Sequence, residues 1–267
     1  MNRPIRFLTL LLCSIAGLWA TAQTAWRTLP SDPALSRTLL AASAQKLAVS
    51  LKELPSTYKK ELTGIYKERF SYVQAQFTED RLLLHPALHG YLQQLLEVVL
   101  TANPELKPLA PRVVFHKSRV PNAVSVGEGT ILFHIGLFSR LENEAQAAFV
   151  LCHELAHLYL DHGNKSIHQL VATLHSEEFK KQLKNIERSR YGQNSQIEAL
   201  TKGLTFRSRR HSRAGELEAD SLALQFLKRT GWDAREALGA LALLEKADED
   251  KHDVDLNLEQ QFHFPGF

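Results

Sequence analysis

The sequence is poor in cysteine, in net charge and in long apolar runs. Its 267 residues contain two cysteines, which excludes a small scaffold held together by several disulfides. Lys and Arg number 32 against 29 Asp and Glu, and the formal charge of +3 argues against a nucleic-acid partner bound by bulk charge. Hydrophobic residues make up 44% and charged residues 23%, which excludes disordered, collagenous and low-complexity classes.

The N-terminus has the pattern of a secretory signal peptide. Arg3 and Arg6 precede an apolar stretch from Phe7 to Ala20, and Ala20-Thr21-Ala22 is typical of a cleavage site. A membrane anchor is the alternative, but the stretch is shorter than the roughly 20 residues of a spanning helix. We therefore predict a signal peptide over residues 1–22 and export to the periplasm or the extracellular medium.

The rest of the chain predicts one domain over residues 23–267. Asp32-Pro33 is typical of a helix N-cap with its first residue, and Pro86 marks a similar start. Apolar residues at three- and four-residue spacing predict three helices within 23–110. A central part follows at 111–230, then a C-terminal helix and tail at 231–267. No stretch after the signal predicts a transmembrane helix.

Short β-branched segments replace the helical spacing in the central part. Strands are predicted over 112–116, 123–126 and 130–135, the last two joined at Gly127-Glu128-Gly129. A helix is predicted from about Asn143 to Asp161, with Gly163 as its C-terminal stop. Together these elements predict an α+β fold, mostly helical, with a small antiparallel sheet.

The predicted helix contains His153-Glu154-Leu155-Ala156-His157, an H-E-x-x-H motif. Residues i and i+4 share a helix face, so both imidazoles can reach one Zn²⁺ ion. Glu154 can take a proton from a water that the zinc activates. The alternative is an ordinary helix with two histidines, but uncharged flanking residues let this one pack in a core. Cys152 lies in the same apolar run, and we expect a buried, unpaired thiol.

A catalytic zinc site needs a third protein ligand and an open position. His162 would lie on another face of a continuing helix than His157, so we expect it at the helix end, where the dipole favours it. Glu216 and Asp220 form a second i, i+4 pair: one can bind the metal while the other contacts a ligating histidine. The alternative is an acidic first turn. Glu218, ~200° from Glu216 around the helix, is expected to be solvated.

In combination the motifs resemble a family of zinc metallopeptidases that includes the type I CAAX prenyl proteases, HtpX and BepA. The similar elements are Asn122-Ala123, Gly127-Glu128-Gly129, Gly136-Leu137, the helix from Glu144 to His157, and E-x-x-x-D at Glu216 to Asp220. They cover roughly residues 110–230. The resemblance implies a zincin-like domain with the gluzincin ligand set, in which His153, His157 and Glu216 bind one Zn²⁺ per chain.

The resemblance also implies roles for other residues. Glu154 would be the general base, and Asp220 either a partner of a ligating group or a proton-donating acid. The strand at Asn122 to Val126 would pair with an extended substrate backbone; the alternative is a plain hairpin strand. The residue that stabilises the oxyanion stays open between His252 and His263, because neither has the expected sequence context.

The sequence as a whole predicts an exported zinc endopeptidase that cleaves extended or misfolded polypeptides, acts in envelope protein quality control and has envelope partner proteins. The alternative is a zinc-binding chaperone or scaffold with little turnover. Glu154 separates the two, because a protein without turnover would tend to lose it. A thermolysin-like enzyme is disfavoured, since no N-E-x-x-S-D motif follows the zinc helix.

Overall fold

The computed structural model describes residues 31–126, 128–189 and 191–253, except for the side chains at 198, 199, 201–212 and 247–253. The chain divides into two units, Met1–Ser31 and Asp32–Phe267, and every element below belongs to the second. The predicted signal peptide and His263 lie outside the described residues, as does the side chain of His252.

Three helices open the second unit, as predicted. Helix α1 spans Pro33–Glu53, α2 spans Lys59–Thr78 and α3 spans Pro86–Ala102, followed by a 3₁₀ helix over Pro104–Leu109. The Asp32 carboxylate caps α1 by accepting from the backbone N–H groups of the second and third helical residues, at 2.8 and 3.2 Å. The proline-marked starts are therefore confirmed.

A three-stranded sheet follows, in the order β1-β3-β2. Strand β1 spans Arg112–His116, β2 spans Ala123–Val126 and β3 spans Thr130–His134. Strands β2 and β3 form the predicted antiparallel hairpin, but β1 pairs with β3 in parallel. The sheet is thus mixed, and the expectation of a wholly antiparallel sheet is wrong. The reason is that β3 inserts between β1 and β2, a long-range pairing that leaves β2 at the edge.

Both faces of β1 and β3 are covered. Val113 and Phe115 face the main core, whereas Val114 faces a second cluster that includes Leu39 of α1 and Val73 of α2. Strands buried on two sides need apolar residues at successive positions, which explains the unbroken apolar sequence of both strands. The sheet therefore lies between α1 and α2 on one face and the helix that carries H-E-x-x-H on the other.

Six helices complete the described chain: α4 Ile135–Phe138, α5 Glu144–Tyr159, α6 His162–Leu174, α7 Glu177–Arg188, α8 Gln193–Lys228 and α9 Glu236–Asp253. Helix α5 is central: most of its residues are buried, and it packs against α8, α9, α3 and β2. The mostly helical α+β fold is confirmed.

Helix α5 has a defined start. The Asn143 side chain caps it by accepting from the Gln146 N–H at 3.0 Å. The side-chain amide nitrogens of Asn143 and Gln146 also donate to Oε2 of Glu236 at the start of α9, each at 2.9 Å. The beginnings of α5 and α9 are therefore held together by one carboxylate.

Helix α5 ends earlier than predicted. Its last residue is Tyr159, and Asp161 adopts a left-handed conformation with φ 56° before α6 begins at His162. Gly163 is the second residue of α6, so its prediction as a helix stop is wrong. Asp161 makes the turn instead, and its carboxylate accepts a hydrogen bond from Nδ2 of Asn164 at 2.6 Å.

Two further features bear on the predictions. Cys152 is fully buried and unpaired, as expected, and burial raises the pKa of its thiol. Among the helices that the structure describes, none combines the length and the apolar character needed to cross a bilayer.

Candidate active site

Two helices bring the predicted metal ligands together. His153 and His157 lie one turn apart on α5, with their Nε2 atoms 3.0 Å from each other. Glu216 on α8 places Oε2 3.3 Å from Nε2 of His153 and 3.4 Å from Nε2 of His157. Within the described part of the chain, this trio has one potential ligand atom per residue, all within 4.8 Å of one another.

These separations fit a tetrahedral zinc ion. Ligand atoms bound to Zn²⁺ at about 2.0–2.1 Å lie about 3.3–3.4 Å apart. The two distances from Oε2 of Glu216 to the imidazole nitrogens, 3.3 and 3.4 Å, match this spacing, and the two nitrogens lie slightly closer together, at 3.0 Å. Two imidazole nitrogens and one carboxylate oxygen are also a donor set of catalytic zinc sites, which leaves one position open. Hydrogen bonds with His153 and His157 hold the pKa of Glu216 well below its ordinary value, so the carboxylate is ionised, as a ligand must be.

Glu154 is buried beside this trio, with 7% of the residue exposed. The backbone N–H of Ser125 in β2 donates to its Oε2 atom at 2.6 Å. Burial raises the pKa of Glu154, while His153, His157 and the Ser125 N–H act against that rise. A carboxylate with a raised pKa is a better proton acceptor than an exposed one.

Asp220 lies one turn after Glu216 on α8, as the i, i+4 spacing predicted. Its Oδ1 atom is 2.9 Å from Nδ1 of His153. A proton on Nδ1 directed at this carboxylate leaves the lone pair of Nε2 free to bind a metal. Asp220 therefore lies within hydrogen-bonding distance of His153.

Strand β2 presents an open edge to the same region. The carbonyl of Asn122 accepts from the His134 N–H of β3, whereas the Ser125 N–H points away from β3 to Glu154. Because backbone groups alternate in direction along an antiparallel strand, those of Ala123 and Ser125 face the open edge. The sheet edge thus offers backbone donors and acceptors next to the histidine pair.

His162 is placed differently from the prediction, and Glu218, although solvated as predicted, contacts it. His162 does not end α5: because the chain turns at Asp161, its ring returns to His157, with the two Nδ1 atoms 3.0 Å apart. Nε2 of His162 lies 3.3 Å from Oε2 of Glu218. The Glu218 side chain is 62% exposed, so it is solvated as expected, yet it contacts a side chain of the site.

One cleft of about 880 Å³ is lined by the side chains described above: His153, Glu154, His157, His162, Glu216, Glu218 and Asp220. The edge of β2 forms one wall over Pro121 to Ser125. Helix α6 contributes Lys165 and Gln169, and Val150 and Leu241 add apolar surface from α5 and α9. The cleft is therefore lined by backbone hydrogen-bonding groups, ionisable side chains and apolar side chains together.

These are the features of a zinc metallopeptidase: one helix carries two histidines and a carboxylate, a second helix supplies a third ligand, and an open strand edge lies along the same cleft. The model of Peptidase family M48 matches residues 86–263, and the chain belongs to this family. The predicted family resemblance is thereby confirmed, and with it a zinc-dependent hydrolase of polypeptides. No curated protein gives a significant match to the chain.

Sequence reasoning missed the Ser125 N–H and the contact of His162 with the site. The first is a backbone group and leaves no sequence signal. The second had one: Asp161-His162-Gly163-Asn164 is typical of a turn, because Asp, Gly and Asn are the residues that favour one. That composition indicates an interruption of the helix before His162 rather than at Gly163.

Proposed function

We propose that this protein is an exported zinc endopeptidase that cleaves extended or misfolded polypeptides in envelope protein quality control. The observation that carries the proposal is the position of Glu154. It is buried between the histidine pair and the open edge of β2, where a substrate backbone would be bound. A proton acceptor and a strand-binding edge in one cleft are the parts that hydrolysis of an internal peptide bond requires.

The ligands would be His153, His157 and Glu216. When bound, zinc supplies Lewis-acid activation of water and of the scissile carbonyl. Asp220 keeps His153 in the tautomer that offers Nε2. Ser125 holds Oε2 of Glu154, which leaves Oε1 to take the proton from the attacking water and to pass it to the leaving amide nitrogen.

The substrate class is supported by the strand edge. The N–H and carbonyl of Ala123, together with the carbonyl of Ser125, can pair with a peptide in extended conformation, because main-chain hydrogen bonds do not depend on side chains. A folded protein does not offer such a segment, whereas a misfolded one does. Export is supported by the sequence of residues 1–22, and a role in envelope quality control by the combination of export with this substrate class.

The test is cleavage of unfolded casein by the chain from residue 23 onward, loaded with zinc. We expect internal cleavage that a chelator abolishes and that added zinc restores, while a stably folded protein of similar size stays intact. Cleavage that persists in chelator would contradict the metal-dependent mechanism. Suppression of casein aggregation without any cleavage would favour the chaperone or scaffold instead.

A further inference from the structure

The two ligating histidines have different partners at Nδ1. His153 faces the carboxylate of Asp220, the usual kind of acceptor for a metal-bound imidazole. His157 has no carboxylate at the equivalent distance among the described contacts of its Nδ1 atom; it faces Nδ1 of His162 at 3.0 Å. The second histidine is therefore oriented by another imidazole.

This contact determines which nitrogen carries each proton. If Nε2 of His157 offers its lone pair to zinc, Nδ1 carries the hydrogen and donates it to Nδ1 of His162. The proton of His162 then resides on Nε2, which lies 3.3 Å from Oε2 of Glu218. The result is a chain of donors and acceptors from His157 through His162 to Glu218, with every hydrogen directed at an acceptor.

The surrounding backbone holds the His162 ring in place. The left-handed turn at Asp161 brings His162 back to α5, and its ring meets that of His157 edge-on, with centroids 5.0 Å apart. Gly215 on α8 lies against the ring: a β-carbon at that position would be in van der Waals contact with it, 3.4 Å from Cε1 of His162. The His162 side chain is only 17% exposed.

We infer that His162 is a positioning residue for the zinc site, which holds His157 in its metal-binding orientation, and that Glu218 anchors His162. This inference rests on the proposed zinc site of His153, His157 and Glu216. It gives each ligating histidine an outer partner: Asp220 acts directly on His153, and Glu218 acts on His157 through His162.

Substitutions of His162 separate hydrogen bonding from packing. His162→Leu keeps a similar volume but has no acceptor, and we expect a 10- to 100-fold weaker zinc affinity, about the effect of removing an outer partner. His162→Asn places an amide oxygen near the position of Nδ1, so it should recover most of the affinity. Zinc affinity is measured by competition with a chromophoric chelator, and visible spectra of the cobalt-substituted chain report the ligand orientation.

Two further comparisons complete the experiment. Glu218→Ala should weaken zinc binding, whereas Glu218→Gln keeps an acceptor for Nε2 of His162 and should resemble the unchanged chain. His175→Leu is the matched control, because His175 directly follows the last residue of the same helix and its Nε2 atom contacts Glu61 at 2.6 Å, outside the cleft. It should change neither the affinity nor the cobalt spectrum.

The outcomes are distinct. Unchanged zinc affinity and cobalt spectrum in His162→Leu would overturn the inference while leaving the zinc site intact. An equal loss in His162→Leu and His162→Asn would assign the effect to packing and would also overturn it. If the unchanged chain binds no zinc, the proposed function fails and this inference fails with it.

Discussion

Two influences shift the pKa of the Glu154 carboxylate in opposite directions. Enclosure in the core raises its pKa, whereas the nearby histidines and the Ser125 N–H favour its ionised form. One oxygen is held by the backbone of β2, and the other is left for chemistry. In the proposed mechanism, positioning and proton transfer are therefore separated within a single side chain.

Replacing Glu154 with glutamine tests that separation. The amide oxygen of Glu154→Gln can still accept from Ser125, but the side chain can no longer take up a proton. Peptidase activity should fall by about 10²- to 10⁴-fold, the usual size of a general-base contribution, with zinc content unchanged. Glu68→Gln, at an exposed glutamate of α2, is the control and should keep full activity. Retained activity in Glu154→Gln would exclude Glu154 as the base.

Substitutions of Glu216 and of Asp220, both on α8, should differ in their effects on zinc content and on activity. Glu216→Gln should purify with well under one zinc per chain and without activity, because a ligand is gone. Asp220→Asn keeps an acceptor for His153 and should retain most of its zinc, but lose much activity with the charge. Metal analysis by mass spectrometry checks both. A metal-replete Glu216→Gln would refute the assignment of the third ligand.

His116 on β1 should make stability depend on pH. Burial, with the nearby His134 and Arg81, lowers the pKa of His116 to about 4. Below pH 6.5 the unfolded chain therefore binds a proton that the folded chain does not, so protonation favours unfolding. The contribution to stability is present above pH 6.5 and is lost as the pH falls towards about 4.

The measurement is urea unfolding of the unchanged chain and of His116→Asn at pH 7, 6, 5 and 4. Asparagine can keep an acceptor for the Ser118 N–H, which His116 binds through Nδ1 at 3.1 Å, but it does not titrate. The loss of unfolding free energy on acidification should therefore be smaller in the variant. Parallel pH dependences for the two proteins would contradict the prediction.

Among the elements, the β2–β3 hairpin is held at its tip. Glu128 has φ 53° and a fully buried side chain, and its Oε1 atom pairs with Arg69 of α2 at 3.1 Å. The same guanidinium donates to Oδ1 of Asn164 on α6 at 2.9 Å. Arg69 thus links the strand that forms one wall of the cleft with the helix that forms another.

The open edge of β2 can be tested with proline. Ala123→Pro removes an N–H that faces the cleft, and proline is tolerated where the lost donor faces away from the sheet. Removal of one substrate hydrogen bond, about 0.5–1.5 kcal/mol, should lower kcat/KM about 2- to 12-fold while the chain stays folded. Val124→Pro, which removes an N–H facing β3, should instead lower the thermal unfolding midpoint. An unaffected kcat/KM in Ala123→Pro would argue against pairing at this edge.

On the scale of the whole molecule, the sequence predicted those features that depend on local signals. The start of α1 at Asp32-Pro33 and the hairpin around Glu128 follow from residue preferences within a few positions. The parallel pairing of β1 with β3 does not, because it depends on which strand packs between the others. The end of α5 was misplaced because Asp161, not a glycine, adopts the left-handed conformation.

The same distinction holds for the site. The spacing of His153 and His157, and that of Glu216 and Asp220, is enough to predict that each pair shares one helix face. No spacing rule within a helix connects His162 to His157, because the chain turns between them. Contacts that join separate elements, such as Ser125 with Glu154, follow only from the packing of β2 on α5.

Export is the prediction that concerns the chain as a whole. If residues 1–22 are a signal peptide, the mature protein begins at Gln23, which intact-mass analysis of the exported protein would show. A bulky residue at the cleavage site, as in Ala22→Phe, should block processing, whereas Thr21→Phe, one position earlier, should be tolerated. Recovery of the chain with Met1 in a membrane pellet would contradict the prediction.

The proposed zinc ligands lie on two helices, and this has a consequence for the stability of the fold. His157 and Glu216 are 59 positions apart in the chain (216 − 157), so a bound ion would close a loop around α6 and α7 much as a disulfide would. Stability then increases with free metal, by about 1.4 kcal/mol for each tenfold rise once zinc is in excess. A chain deprived of zinc should therefore lose its activity and, at the same time, part of its resistance to proteolysis, so that metal scarcity would favour its degradation.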